Sequence, residues 1–140
     1  MRRTAKLLAV LAMATGGVAA TGSPAAAASL DCYGDQRLTT NLYADVCLER
    51  SGVYVNGQQI KLQGHLWIEN HSSVTATAIV KLKAGPTATS CILTVAPHSS
   101  RYCGTAVTYD FDPALDRTRA EITWVKSGAS GIEVLYSPYG

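Results

Sequence analysis

The sequence predicts an all-β fold: an antiparallel β-sandwich of about seven to eight short strands, held by two local disulfides. Three observations predict it. Apolar and polar residues alternate with a period of two along most of the chain after residue 29, and helical periodicity is nearly absent. Turn-forming clusters separate these runs at intervals of roughly 8–12 residues, a sandwich spacing. All four cysteines, Cys32, Cys47, Cys91 and Cys103, lie in this region, and an even count in a small exported domain reads as a disulfide framework.

Residues 1–28 read as an address. Arg2, Arg3 and Lys6 precede the apolar run from Leu7 to Ala14, and small residues follow as far as Ala28. That order is the charged start, apolar middle and cleavage site of a secretory signal peptide. The run is shorter than the ~20 residues a membrane span needs. Cleavage is expected between Ala28 and Ser29. Arg2-Arg3 lacks a preceding Ser and a following Phe, so the general secretory route is expected. The C-terminus, Ser137 to Gly140, has no apolar tail. The expectation is a released extracellular protein with no membrane anchor.

Removing 28 of 140 residues leaves 112, residues 29–140, a length suited to one domain with a modest core. The charge changes with the cut. The chain carries +2, but three cations leave with residues 1–28, so Lys+Arg falls from 12 to 9 against 10 acids, giving −1. A near-neutral domain carries no net charge that favours nucleic acid or an anionic membrane. A monomer is expected.

The strands follow in order. Val46 to Arg50 reads as one, and Val53-Tyr54-Val55 runs into Asn56-Gly57, a hairpin signal because both turn residues need φ > 0. From Ile60 to Glu69, one face carries Ile60, Leu62, Gly64, Leu66 and Ile68. The other carries Lys61, Gln63, His65, Trp67 and Glu69. From Val74 to Lys83 the inner face is Val74, Ala76, Ala78, Val80 and Leu82, and Asn70 to Ser73 reads as a hairpin turn. Cys91 to Val95 is a strand, Ala96 to Ser100 a turn, and Arg101 to Tyr109 the returning strand. Asp112 to Asp116 is a loop in which Asp112 would cap one helical turn. Arg119 to Lys126 places Ala120, Ile122 and Trp124 inward, and Ile132, Val134 and Tyr136 close the pattern. Between Cys32 and Cys47, the spacing of Leu38 and Leu42 leaves a helical turn and an extended run both open.

Four cysteines allow three pairings. Cys32–Cys47 and Cys91–Cys103 are expected, because each pair brackets one local segment. Residues 91 and 103 are equidistant from Pro97, so a hairpin centred there would set them directly opposite, at a separation a disulfide spans.

Leu93-Thr94-Val95-Ala96-Pro97, followed by Cys103, resembles the strand–turn–strand pattern of immunoglobulin-like modules in secreted bacterial proteins. The signal, the two-disulfide spacing and Val46-Cys47-Leu48 resemble small secreted proteins of unknown function from high-GC Gram-positive bacteria. The resemblance implies an immunoglobulin-like sandwich and an extracellular location, and it carries over no functional residue.

Chemistry-bearing patterns are sparse. No Cys-x-x-Cys and no His at ligand spacing point to zinc, and no metal or cofactor is expected. Asp110, Asp112, Asp116 and Glu121 fall at positions 1, 3, 7 and 12 of a calcium loop, but position 6 is Leu115 where the loop needs Gly. No Gly-x-Ser-x-Gly elbow accompanies His65, His71 or His98, so no catalytic residue and no enzyme activity are expected. Trp124 shares its phase with core residues. Trp67 shares its phase with Lys61, Gln63, His65 and Glu69. A Trp among hydrogen-bonding side chains suits a sugar ring or a partner protein. The competing reading has it shield the outer face with Ile79 and the lysine stems. The expected function is a non-catalytic interaction module binding an extracellular protein or glycan. The alternative is an inhibitor of a secreted protease or glycosidase, presenting residues 96–102 as a rigid loop ending at Cys103. The Trp-Arg-Tyr triplet of secreted amylase inhibitors is missing.

Overall fold

The computed structural model describes residues 29–52, 60–109 and 117–139. The expected signal peptide, the Asn56-Gly57 turn, the Asp112 cap and three of the four calcium-loop acids lie outside the described residues. The described residues form nine strands rather than seven or eight: β1 Ser29–Cys32, β2 Gln36–Thr39, β3 Leu42–Gly52, β4 Ile60–Asn70, β5 Ala76–Ala84, β6 Thr87–Val95, β7 Ser99–Gly104, β8 Thr118–Lys126 and β9 Ala129–Tyr136. The stretch between Cys32 and Cys47 is extended, supplying β2 and the start of β3. No helix among the described residues is long and apolar enough to cross a membrane.

The strands make two antiparallel sheets. Sheet A has the order β1-β3-β4-β7, with β2 also paired to β3, and sheet B has the order β6-β5-β8-β9. Period-two alternation buries one face of each. Leu42, Ala44, Val46 and Leu48 of β3 and Leu62, Leu66 and Ile68 of β4 face Ala76, Ala78, Val80 and Leu82 of β5 and Ala120, Ile122 and Trp124 of β8. Residues of both sheets join in one core cluster. Each fully buried Leu or Ile stabilises the fold by roughly 1.5–3 kcal/mol relative to exposure.

Two expected hairpins are crossings between sheets. β4 lies in sheet A and β5 in sheet B, and β6 lies in sheet B and β7 in sheet A. Residues 71–75 and 96–98 therefore carry the chain across the sandwich. Asn70 shows why the first link crosses. It is buried, its Nδ2 donates to the carbonyls of Val74 (2.7 Å) and Val95 (3.0 Å), and its Oδ1 accepts from Ser72 N (3.0 Å). The last residue of β4, in sheet A, thus satisfies backbone groups of the link and of β6 in sheet B, which a solvated hairpin tip would leave to water.

The cysteine pairing is as expected, but its geometry differs for one pair. Cys32 and Cys47 are directly opposed across β1 and β3, with Cα atoms 4.4 Å apart. Cys91 and Cys103 are not cross-strand neighbours in a hairpin. Their disulfide joins β6 of sheet B to β7 of sheet A, with Cα atoms 6.2 Å apart.

Three further expectations change. The strand expected over 101–109 ends at Gly104, and Thr108 returns as an isolated bridge to Leu62. β5 begins at Ala76, which leaves Val74 exposed. In β9 the inner phase belongs to Gly131 and Leu135, because Gly131 pairs with Trp124 and Leu135 with Ala120. Ile132 and Val134 face outward.

Candidate functional site

The outer face of sheet A gathers the candidate residues. The register places three aligned rows across β3, β4 and β7: Cys47–His65–Gly104, Asp45–Trp67–Tyr102 and Tyr43–Glu69–Ser100. Lys61, Gln63, His65, Trp67 and Glu69 share this face and are all half-buried. Trp67 is neither buried in the core nor fully open. Its ring stacks on His65, with centroids 5.6 Å apart and planes at 21°, and leans on Tyr102 at 5.1 Å and 52°. The expected alternative partner Ile79 sits in the other sheet, so Tyr102 and His65 shield this ring instead.

His65 is held from both sides. Its Nε2 lies 2.6 Å from Glu49 Oε2, and its Nδ1 meets the Tyr102 hydroxyl. In the neutral ring, Nε2–H donates to the carboxylate and Nδ1 accepts from the phenol. Gly104 makes room for this, since a Cβ there would sit 2.1 Å from Tyr102 Oη and 2.7 Å from Cζ. The phenol ring therefore folds along the backbone toward His65.

The electrostatics follow. The hydrogen bond from His65 holds the Glu49 carboxyl below its ordinary pKa against the opposing effect of burial, and the charges of His65 and Lys61 add to it. Burial raises the Tyr102 phenol, and the Glu49 charge raises it further. Tyr102 therefore stays protonated at neutral pH. The Glu49–His65–Tyr102 chain orients the phenol.

Other expected residues lie apart. Gln63 donates to the Thr105 carbonyl at 2.8 Å. Glu69 meets His71 at 3.2 Å, and His71 packs edge-on against Tyr43. His98 sits in the 96–98 link, exposed, at φ 53°. Arg101 donates from Nε to the Thr94 carbonyl at 3.2 Å, beside an open groove of about 570 Å³ lined by Ile92, Leu93, Thr94, Ser100, Arg101 and Tyr102. The side chains of Cys32, Asp45 and Cys47 come within 4.8 Å of one another. Two of these atoms are disulfide sulfurs and offer no thiolate to a metal.

Sequence reasoning missed Glu49 and Tyr102. Glu49 is two residues past a cysteine, and Tyr102 lies on a different strand, so only the β3-β4-β7 order brings both to His65. Together the fold and the face define a two-disulfide β-sandwich domain with an aromatic and polar outer surface. No family model, no curated protein and no solved structure matches the chain.

Proposed function

We propose that this domain is a secreted, monomeric, non-catalytic interaction module that binds an extracellular protein or glycan through the outer face of sheet A. The observation that carries the reading is the His65–Trp67–Tyr102 cluster, in which Tyr102 remains 45% exposed and Lys61, Gln63 and Glu69 stand around the rings. Aromatic rings with a polar rim supply contact area at low entropic cost, and either a sugar ring or a partner side chain can stack on them. Two disulfides suit an oxidising location outside the cell.

The immunoglobulin-like reading has support in the connectivity. β4 neighbours β7 in one sheet and β5 neighbours β8 in the other, as strands B and E and strands C and F do in that fold. On that mapping β3 is strand A, β6 is C′ and β9 is G.

The inhibitor reading has less support. Residues 99–104 already pair through their backbone with β4, whereas a substrate-like loop must offer extended backbone to its enzyme. The test of the favoured reading is Trp67→Ala with Tyr102→Ala, probed by pull-down from culture supernatant and on a glycan array. Loss of every captured partner, with both disulfides and the melting transition retained, is the expected result. Undiminished capture by the variant refutes it.

A further inference from the structure

The opposite side of the sandwich carries a second and chemically different surface. The register of sheet B lays its outer face out in rows across β6, β5, β8 and β9. One row is Thr94–Thr77–Val125–Ser130, the next Ile92–Ile79–Thr123–Ile132, then Ser90–Lys81–Glu121–Val134, and at the end Ala88–Lys83–Arg119–Tyr136. The centre is uncharged and exposed, with Ile92 at 76% and Ile132 at 67%. The cations gather at one end.

The last row contains a placement that costs stability. Lys83 and Arg119 are directly opposed across β5 and β8. Such residues have Cβ atoms about 5 Å apart, and like charges there repel. Glu121 offsets part of it, at 4.0 Å from Lys81 and 3.6 Å from Arg119. Three cations against one carboxylate leave an excess of two. Lys83 is exposed and has no anionic partner among the described residues. The same side chains line an open cavity of about 420 Å³, together with Leu82, Ala88, Thr89 and Ser90. Two directly opposed cations beside the Ser90 hydroxyl, which shares their face, match a tetrahedral oxyanion, which takes charge-assisted bonds from Lys and Arg and a neutral bond from a hydroxyl.

We infer that Lys81, Lys83 and Arg119 form a binding site for the sulfate or phosphate esters of a polyanionic glycan. The site is independent of the sheet A face and stands whether or not Trp67 binds anything. The unfavourable Lys83–Arg119 pairing is relieved when an oxyanion sits between the two head groups, so ligand binding and fold stability are linked at this point.

Heparin, a sulfated glycan, is the probe. The full chain is loaded on immobilised heparin at low salt and eluted with a salt gradient. It is compared with Lys83→Gln/Arg119→Gln and with Arg37→Gln/Lys126→Gln, which removes the same charge elsewhere. The N-terminal cations are common to all three. The first variant is expected to elute at clearly lower salt, its dependence of log affinity on log salt falling by about one per cation removed. The second is expected to elute with the parent. The first variant's melting temperature is expected to hold or rise, since a repulsion is removed. Equal shifts in the two variants, or a parent that is not retained, overturn the inference. Flotation with phosphatidylglycerol vesicles without retention on heparin also overturns it, by assigning the cations to a lipid surface.

Discussion

Gly64 is a point of close approach between the two sheets, and replacing it tests the packing directly. It lies on the inner face of β4, paired with Leu48 of β3. A Cβ there would sit 2.9 Å from Ala84 Cβ, 2.9 Å from Thr118 Cγ2 and 3.1 Å from Thr118 Oγ1. Carbon atoms pack favourably at about 3.5–4.0 Å, so both carbon contacts are short by more than half an ångström. Neither neighbour yields easily. Ala84 has no side-chain torsion to turn, and Thr118 is held by its hydroxyl, which donates to the Cys47 carbonyl at 2.8 Å. All three residues are buried. Gly64→Ala must therefore push β4 away from β5 and β8, an overpacking cost of about 1–3 kcal/mol. The lost backbone entropy of Gly offsets about 0.5–1 kcal/mol. The net expectation is destabilisation by about 1–2 kcal/mol, or roughly 5–10 °C in Tm for a domain of this size. Urea unfolding of the oxidised protein measures it. Thr118→Ser deletes Cγ2 and keeps the hydroxyl, so Gly64→Ala should cost about 1 kcal/mol less in that background. A neutral or stabilising Gly64→Ala, or strict additivity with Thr118→Ser, refutes the close approach.

Two more outcomes follow from the same framework. Cys91→Ala/Cys103→Ala opens a disulfide of sequence separation 12, and the chain-entropy relation expects a loss of about 3 kcal/mol; an unchanged urea midpoint would contradict it. The acid limb of stability should carry a Glu49 component. Its folded pKa is lowered from 4.5, so its contribution is present above that value and lost as pH falls through the folded pKa. The stability difference between the parent and Glu49→Gln should thus shrink below about pH 4.5; a difference constant across the acid range sinks the idea. Tyr102, raised above 10.0, acts in the opposite sense, its contribution being lost as pH rises through its folded pKa.

The two faces of the sandwich differ in a way that bears on both proposals. On sheet A the long side chains of β4 lie over one another, and Asp45 and Cys47 are buried beneath them. On sheet B the Ile92–Ile79–Thr123–Ile132 row is short and β-branched, so Ile79, Ile92 and Ile132 stand open, and Lys83 of the end row is exposed. Ligand contact on sheet A requires the rings of Trp67 and Tyr102 to exchange neighbours for a partner. Contact on sheet B requires only counter-charge.

Period-two alternation along β4, β5 and β8 was enough to assign strands, choose the buried face and place Trp124 inside and Trp67 outside. These are local consequences of side chains alternating across a pleat. Cysteine count and bracketing were enough to pair the sulfurs. Sheet membership was not legible, because a short polar link such as 71–75 has the same composition whether it turns back within one sheet or steps to the other. The buried Asn70 settles that through carbonyls 4 and 25 residues away. The β9 phase was missed because an edge strand exposes both its faces, so Ile132 and Val134 look like core in one dimension. Glu49, His65 and Tyr102 meet only because β4 lies between β3 and β7. Lys83 faces Arg119, 36 residues further along the chain, only because β5 pairs with β8. Alternation is written in the chain residue by residue. Which strand lies beside which is decided by burial of all the faces at once, and the candidate sites exist only at that level.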